Sequence, residues 1–184
     1  GNVSLYNETL GEGIHPTPVM GIVGVLKNRK PAPVEFQSAG KTILLLGGFR
    51  EGDLTRFGST QYANVIVGGP WGLPPALDMD YEKRVHNAIR KVVSADLAES
   101  AHDLSDGGLA VALAEASFGG IGARVTLPAA ERPELQLFHE APSRILATGP
   151  AFPGRSRPLC PYPLEARYVG GDPQAAASFE CRAP

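Results

Sequence analysis

A continuous apolar run, Thr42-Ile43-Leu44-Leu45-Leu46, ends abruptly in Gly47-Gly48. Its length and lack of alternation predict a strand covered on both faces, which commits the chain to packed layers. The clearest covering element is a helix over Asp80–Glu99, where Val85, Ala88, Ile89, Val92 and Val93 recur at three- and four-residue steps and mark one buried face. Asp78 or Asp80 suits its cap. An alanine-rich helix is predicted over Leu109–Ser117, stopped by Gly119-Gly120. Ala123–Leu127 alternates as a strand, and Arg144–Thr148 reads as another. Helix and strand mixed in this order predict an α/β domain of layered α+β type.

The flanking sequence has a different character. Residues 1–13 read as a short strand and a polar turn from Asn7 to Gly13. His15-Pro16-Thr17-Pro18 is stiff and extended, because each proline fixes its own φ and biases the residue before it away from helix. Val19–Leu26 reads as a strand in which Gly21 and Gly24 allow close backbone approach. Lys27–Gln37 is polar and proline-bearing, the predicted inter-domain linker. Gly58–Tyr62 can start a short helix capped by Ser59. From about Pro150, prolines interrupt the chain, and only Leu164–Val169 and Ala175–Phe179 look able to form elements. At 184 residues there is room for one buried domain, or one domain and a piece of another. The opening Gly1-Asn2-Val3-Ser4, with no initiator Met, leads us to expect a fragment of a larger enzyme.

Charge and cysteine content narrow the function classes. The net charge of −2 gives no broad attraction to nucleic acid or to an anionic membrane. No apolar run reaches the roughly 18–20 residues of a membrane span. Cys160 and Cys181 lack metal or redox spacing and read as free thiols of a reducing cytoplasm, which predicts a cytoplasmic protein.

Three clusters could carry chemistry. In Gly1-Asn2-Val3-Ser4, glycine lets a phosphate approach the backbone, an Asn amide oxygen can ligate a hard cation, and a Ser hydroxyl can bond a substrate. The competing reading is a strand start with a polar edge. In His102 to Gly108, Gly107 and Gly108 at a helix start can form an N–H cradle for an anion, while Asp103 and Asp106 could hold a magnesium ion bridging phosphates. The competing reading is a strand-to-helix turn capped by Ser105 or Asp106. His102 reads as a structural hydrogen-bonding group. In Leu137–Arg144, Glu140 and Arg144 could pair or reach a ligand, but an exposed turn is the preferred reading. No Ser-His-Asp, Cys-His or zinc pattern is present.

Together the motifs resemble a known family. Gly1-Asn2-Val3-Ser4-Leu5-Tyr6-Asn7-Glu8-Thr9, followed by Pro16-Thr17-Pro18-Val19-Met20-Gly21-Ile22-Val23-Gly24, resembles the phosphoribosylformylglycinamidine synthases. His102-Asp103-Leu104-Ser105-Asp106-Gly107-Gly108 and the helix after it are similar to that family's later glycine loop. Leu137–Arg144 looks like its Phe-Ser-Glu-Ser-Pro-Ser-Arg stretch, with His139 and Ala141 in place of two serines. The resemblance covers residues 1–149. It implies a C-terminal domain of the aminoimidazole ribonucleotide synthetase type, a mixed sheet with helices packed on it, over residues 33–184 with 150–184 divergent. Residues 1–32 would be terminal strands of an N-terminal-type domain and a linker.

The resemblance also implies an activity, a ligase forming a carbon–nitrogen bond. It would convert formylglycinamide ribonucleotide to the amidine with ATP, Mg2+ and glutamine-derived ammonia. Gly1 would contact ATP, Asn2 would ligate magnesium and Ser4 would touch the ribonucleotide. Asp103, Ser105, Asp106, Gly107 and Gly108 would form a second nucleotide site. Expected partners are the upstream domains of the same enzyme and a glutaminase. No residue in this stretch is expected to be catalytic, so the piece alone would be inactive. The alternative is a non-catalytic nucleotide-binding or interface module of the same superfamily. The Asn-Val-Ser-Leu-Tyr-Asn run argues against aminoimidazole ribonucleotide synthetase itself and against selenide water dikinase.

Overall fold

The computed structural model describes residues 2–4, 7–14, 17–26, 30–47, 54–128, 130–150, 165–167 and 178–182. The chain divides into two units, Gly1–Pro31 and Ala32–Pro184.

The first unit holds β1 (Asn2–Ser4), β2 (Glu8–Thr9), β3 (Glu12–Gly13) and β4 (Thr17–Val19). β1 and β4 pair antiparallel, with Asn2 opposite Val19 and Ser4 opposite Thr17. β2 and β3 form a tight hairpin. Its two central residues, Leu10 and Gly11, have φ of 57° and 81°, the sign that such a turn requires. The strand expected over Val19–Leu26 ends at Val19, and residues 20–26 form no ladder. Ile22 there is 93% exposed, and a Cβ added to Gly21 or Gly24 would meet nothing within 4 Å, so the expected close approach is absent. Apolar β-formers supply the propensity for a strand, but not the neighbouring N–H and C=O groups that make one.

The second unit runs β5 (Thr42–Leu46), α1 (Leu54–Phe57), a π-helical turn (Ala63–Val67), α2 (Met79–Ser94), β6 (Ser100–Asp103), α3 (Gly108–Ala116), β7 (Arg124–Pro128), α4 (Pro133–Phe138), β8 (Ile145–Gly149), β9 (Glu165–Arg167) and β10 (Ser178–Arg182). β8 lies between β5 and β6, antiparallel to both, so that Ala147 faces Leu44 on one side and Ala101 on the other. β7 pairs parallel with β10 and antiparallel with β9. Ile43 and Leu45 of β5, Leu109 and Leu113 of α3, and Val125 and Leu127 of β7 join one core. The mixed α/β class appears as the sequence predicts, whereas β5 buries Ile43, Leu45 and Leu46 and leaves Thr42 and Leu44 partly exposed.

The two long helices follow their composition. α3 buries Leu109, Ala110, Ala112, Leu113 and Ala116 on one broad face, which small side chains let pack closely, and exposes Val111 and Ala114 on the other. α2 buries Val85 fully and Ala88, Ile89, Val92 and Val93 partly. Asp78 is its cap, accepting from the N–H groups of Asp80 at 3.0 Å and Tyr81 at 2.9 Å. α2 ends at Ser94 and not at Glu99. Asp96 turns left-handed (φ 53°), and the Glu99 N–H donates to Thr148 O at 2.7 Å, so the sheet claims the chain there.

Two other expectations change. Residues 30–37 of the predicted linker are described, and their later part belongs to the second unit. Pro33 O accepts from Ala101 N at 2.9 Å, and the buried Phe36 donates its N–H to Ala116 O at 2.8 Å. The helical segment after α1 begins at Gln61 and is capped by Thr60, not Ser59. The buried Thr60 hydroxyl donates to Phe57 O at 2.8 Å and accepts from Ala63 N at 3.2 Å, whereas Ser59 is exposed.

Glu99 fastens the edge of the β5–β8–β6 sheet. Its carboxylate pairs with Lys41 at 2.5 Å and accepts from the Ser38 hydroxyl at 2.5 Å. Lys41, then Ser38, hold its carboxyl below the usual range. A depressed acid contributes stability above its unfolded pKa, about 4.3, and loses it as pH falls through the lower folded value. Glu99→Gln is therefore expected to cost up to about 1 kcal/mol at pH 7. That difference should shrink toward zero in urea titrations run through and below the folded pKa.

Candidate functional site

Three segments distant in sequence meet at the start of α3: residues 57–62, the loop 103–108 and the stretch 137–144. Phe57 is the common surface. Its ring centroid lies 5.5 Å from that of Tyr62, 6.3 Å from Trp71 and 5.9 Å from His139, and Tyr62 stacks on Phe138 at 5.0 Å.

The polar centre of this junction is Glu140. Its Oε1 accepts from the backbone N–H of Gln61 at 2.8 Å and from that of Gly107 at 2.8 Å. Both donors sit at helix starts, which present unpaired N–H groups and a positive partial charge. Arg144 is buried, donating Nε–H to Ala141 O at 3.0 Å and an Nη2–H to His139 O. Burial pulls its pKa down to about 10 while the charge of Glu140 pushes the other way, so the guanidinium stays charged at neutral pH. The exposed turn expected for Leu137–Arg144 is thus corrected. Gln136, His139 and Arg144 are buried, because backbone carbonyls and a neighbouring carboxylate compensate the cation. An arginine four residues after a glutamate was the available signal. That residues 61 and 107 bring their N–H groups to Glu140 is something no local pattern reveals.

The loop before α3 is not capped by Ser105 or Asp106. Gly107 occupies the cap position at φ 75° without a side-chain bond, and the carboxylate that serves it comes from 33 residues away. The Gly108 N–H donates to Ser105 O at 3.0 Å. Both glycine N–H groups are therefore used internally, and the anion cradle expected of them is already filled by protein groups. Ser105, Asp106 and Asp103 are exposed and remain the groups a ligand could reach. His102 makes a structural contact, its Nε2 lying 2.9 Å from Glu115 Oε2. Among the described residues no cluster of three or more His, Cys, Asp or Glu is arranged for a metal.

Gly1 lies outside the described residues, as does Cys160. Asn2 and Ser4 are the first and last residues of β1. The β1–β4 register also sets the first motif beside Thr17-Pro18-Val19 of the second. Asn2 and Ser4 belong to the first unit, the loop 103–108 to the second. No helix among the described residues is long and apolar enough to cross a membrane.

Residues 38–150 match the family described as AIR synthase related protein, C-terminal domain. The phosphoribosylformylglycinamidine synthase subunit PurL of Moorella thermoacetica is 45% identical over 148 residues, 79% of this chain and 20% of its own length. The subunit of the same name from Thermus thermophilus is 44% identical over 149 residues, 80% of this chain and 20% of its own. The chain spans about a fifth of the length of the curated relatives it matches. Among solved structures, Thermotoga maritima PurL complexed with FGAR matches with a TM-score of 0.50 and 20% identity, over 64% of this chain and 21% of that one, a likeness of fold.

The junction makes a testable prediction. A Cβ on Gly108 would lie 2.6 Å from His139 O at φ +62°, and a Cβ on Gly107 would lie 2.2 Å from Val111 Cγ2 and 2.7 Å from Val111 Cβ at φ +75°. Gly107→Ala and Gly108→Ala should therefore each cost at least about 1 kcal/mol. Arg144→Met should cost about 3 kcal/mol, and Arg144→Lys should not restore it, because one ammonium cannot reproduce the guanidinium fork. Urea unfolding of the four variants checks these costs.

Proposed function

The chain belongs to the AIR synthase related protein C-terminal domain family, and from that premise we propose that it forms part of a phosphoribosylformylglycinamidine synthase. The reaction is an ATP-dependent carbon–nitrogen ligation of purine biosynthesis. The formyl amide oxygen of formylglycinamide ribonucleotide is activated by phosphorylation and displaced by ammonia, giving the amidine. The observation that carries this reading is the 45% identity to a PurL subunit over 148 residues. The β1–β4 pairing supports it by joining two motif blocks that are separate in sequence.

In this reading Gly1 contacts ATP, Asn2 offers its amide oxygen to magnesium and Ser4 bonds the ribonucleotide. The donor types fit: an amide oxygen is a hard ligand and a hydroxyl bonds a phosphate or sugar. Magnesium would supply charge neutralisation on the phosphates during transfer. The chain's own contribution is to hold Asn2 and Ser4 at fixed spacing on a paired strand. One strand cannot enclose a nucleotide, so the rest of the site comes from upstream polypeptide of the same enzyme. Ammonia comes from a glutaminase partner, and the cytoplasm is the expected compartment.

Catalysis by charge stabilisation requires the full ligand set in place. The 184-residue chain is therefore expected to form no amidine in an ATP- and glutamine-dependent assay. In the full-length enzyme Asn2→Ala should lower turnover at least about 100-fold. An active isolated chain, or an Asn2 variant with normal magnesium dependence, would refute the assignment.

A second reading rests on the exposed trio Asp103, Ser105 and Asp106. It makes the second unit a non-catalytic nucleotide-binding module, with the two carboxylates on a magnesium ion and the serine on a phosphate. Because Gly107 and Gly108 have spent their N–H groups, binding would depend on these side chains. Calorimetry with magnesium and ADP should then show affinity that Asp106→Ala reduces about tenfold. Affinity unchanged by that substitution, or no heat at all, rejects the module.

A further inference from the structure

Residues Ala63–Leu77 contain no ionisable side chain. Val65, Ile66, Val67, Leu73, Leu77 and Met79 nevertheless face solvent, Ile66 at 67% and Met79 at 66% exposure. Scattered exposed apolar residues need no explanation, but a contiguous ribbon of them does.

This ribbon is held rigid by its backbone. Trp71 N–H donates to Gly58 O at 3.1 Å, Leu73 N–H to Thr55 O at 2.7 Å and Gly69 N–H to Ala63 O at 3.2 Å. The Trp71 indole N–H donates to Leu54 O at 2.9 Å, and Arg56 reaches Pro74 O at 2.7 Å. A Cβ on Gly72 would stand 1.9 Å from Thr55 O, so the two backbones touch. Pro70, Pro74 and Pro75 stiffen it further. These backbone groups and the Trp71 indole bond inward, while the side chains of Val65, Ile66, Val67, Leu73 and Leu77 are displayed outward. Ordering, usually a main cost of binding, has already been met by folding.

We propose that the Val65–Met79 ribbon is the docking face for the rest of the longer polypeptide, an apolar surface of that same chain. The inference rests on the proposed function, from which it takes the longer polypeptide. The relatives carry about four-fifths of their length outside the segment matched here, so ample chain is available to cover it. A tethered segment meets the ribbon at millimolar effective concentration, well above what a second free copy reaches. Residues 63–77 carry no charge, and the one carboxylate within the ribbon, Asp78, is engaged as the cap of α2, so an ionic partner has little to recognise.

Hydroxyl-radical footprinting tests the proposal, comparing the 184-residue chain with a full-length polypeptide in which this chain replaces the equivalent fifth of the Moorella thermoacetica relative. Oxidation of Trp71 and Met79 should fall roughly fivefold in the long form, as at a desolvated interface core. Ile66→Asp should leave the urea midpoint of the short chain unchanged and lower the thermal midpoint of the long one. Amidine formation by the long form is scored separately. An active long form with Trp71 and Met79 oxidised as in the short chain overturns the inference and leaves the proposed function standing. An inactive long form with the ribbon protected fails the function and keeps the docking face. A short chain that dimerises, with its ribbon already protected, overturns the inference in favour of a second copy.

Discussion

One carboxylate oxygen, Glu140 Oε1, sets the geometry of the second unit by accepting the backbone N–H groups of both Gln61 and Gly107. Each donor is an unpaired group at a helix start, so a single anion answers two structural demands. The arrangement needs a nearby cation, and Arg144 supplies one while folding residues 139–144 around its own guanidinium. β8 begins at the next residue, so the central strand of the sheet leaves from this knot. Ser143, at φ 65°, donates its hydroxyl to Glu82 of α2, and its carbonyl lies where a Cβ on Gly47 would be, 1.9 Å away. The end of β5 and the start of α2 are thereby fastened to the same loop. Glycine at 47 is required twice, by its φ of 100° and by this approach.

Much of the second unit could be read from sequence where the signal is local and repeated. The run at Thr42–Leu46, the three-and-four spacing of α2, the alanine content of α3 and the alternation of β7 each state a period, and each produces its element. The failures share a physical form. Met20–Leu26 has strand composition without a strand partner. Ser59 and Thr60 are both capping residues, and only burial beneath Phe57 selects Thr60. Ser105 and Asp106 look like caps, yet a carboxylate from another segment performs that task. In each case the deciding atom lies outside the window in which the residue is read. The same holds for the proposed site, where the residue types of Asn2 and Ser4 are legible in the sequence and what would surround them is not.

The core and the residues proposed to meet nucleotide therefore lie in different units of the chain. The core that joins Ile43, Leu109, Leu113 and Val125 lies wholly in the second unit. The motif proposed to meet nucleotide and substrate lies in the first, on strands of three residues. Two- and three-residue ladders are too short to stand alone, since an isolated hairpin is marginal in water.

The departures of this chain from the family stretch at 137–144 can be understood in the same terms. Where the resemblance places a serine, this chain has His139, whose Nδ1 accepts the N–H of Ala141 at 3.0 Å. A serine hydroxyl two residues ahead of an N–H makes the same kind of turn-closing bond. The histidine keeps the acceptor and adds a ring that packs 5.9 Å from Phe57, extending the aromatic surface beneath the loop. Ala141 gives up a hydroxyl but retains the two backbone groups the loop uses, the N–H that meets His139 and the carbonyl that meets Arg144. Both departures therefore leave the backbone bonds of Ala141 in place. What the loop demands at 139 is an acceptor at hydroxyl height, and at 141 a backbone alone.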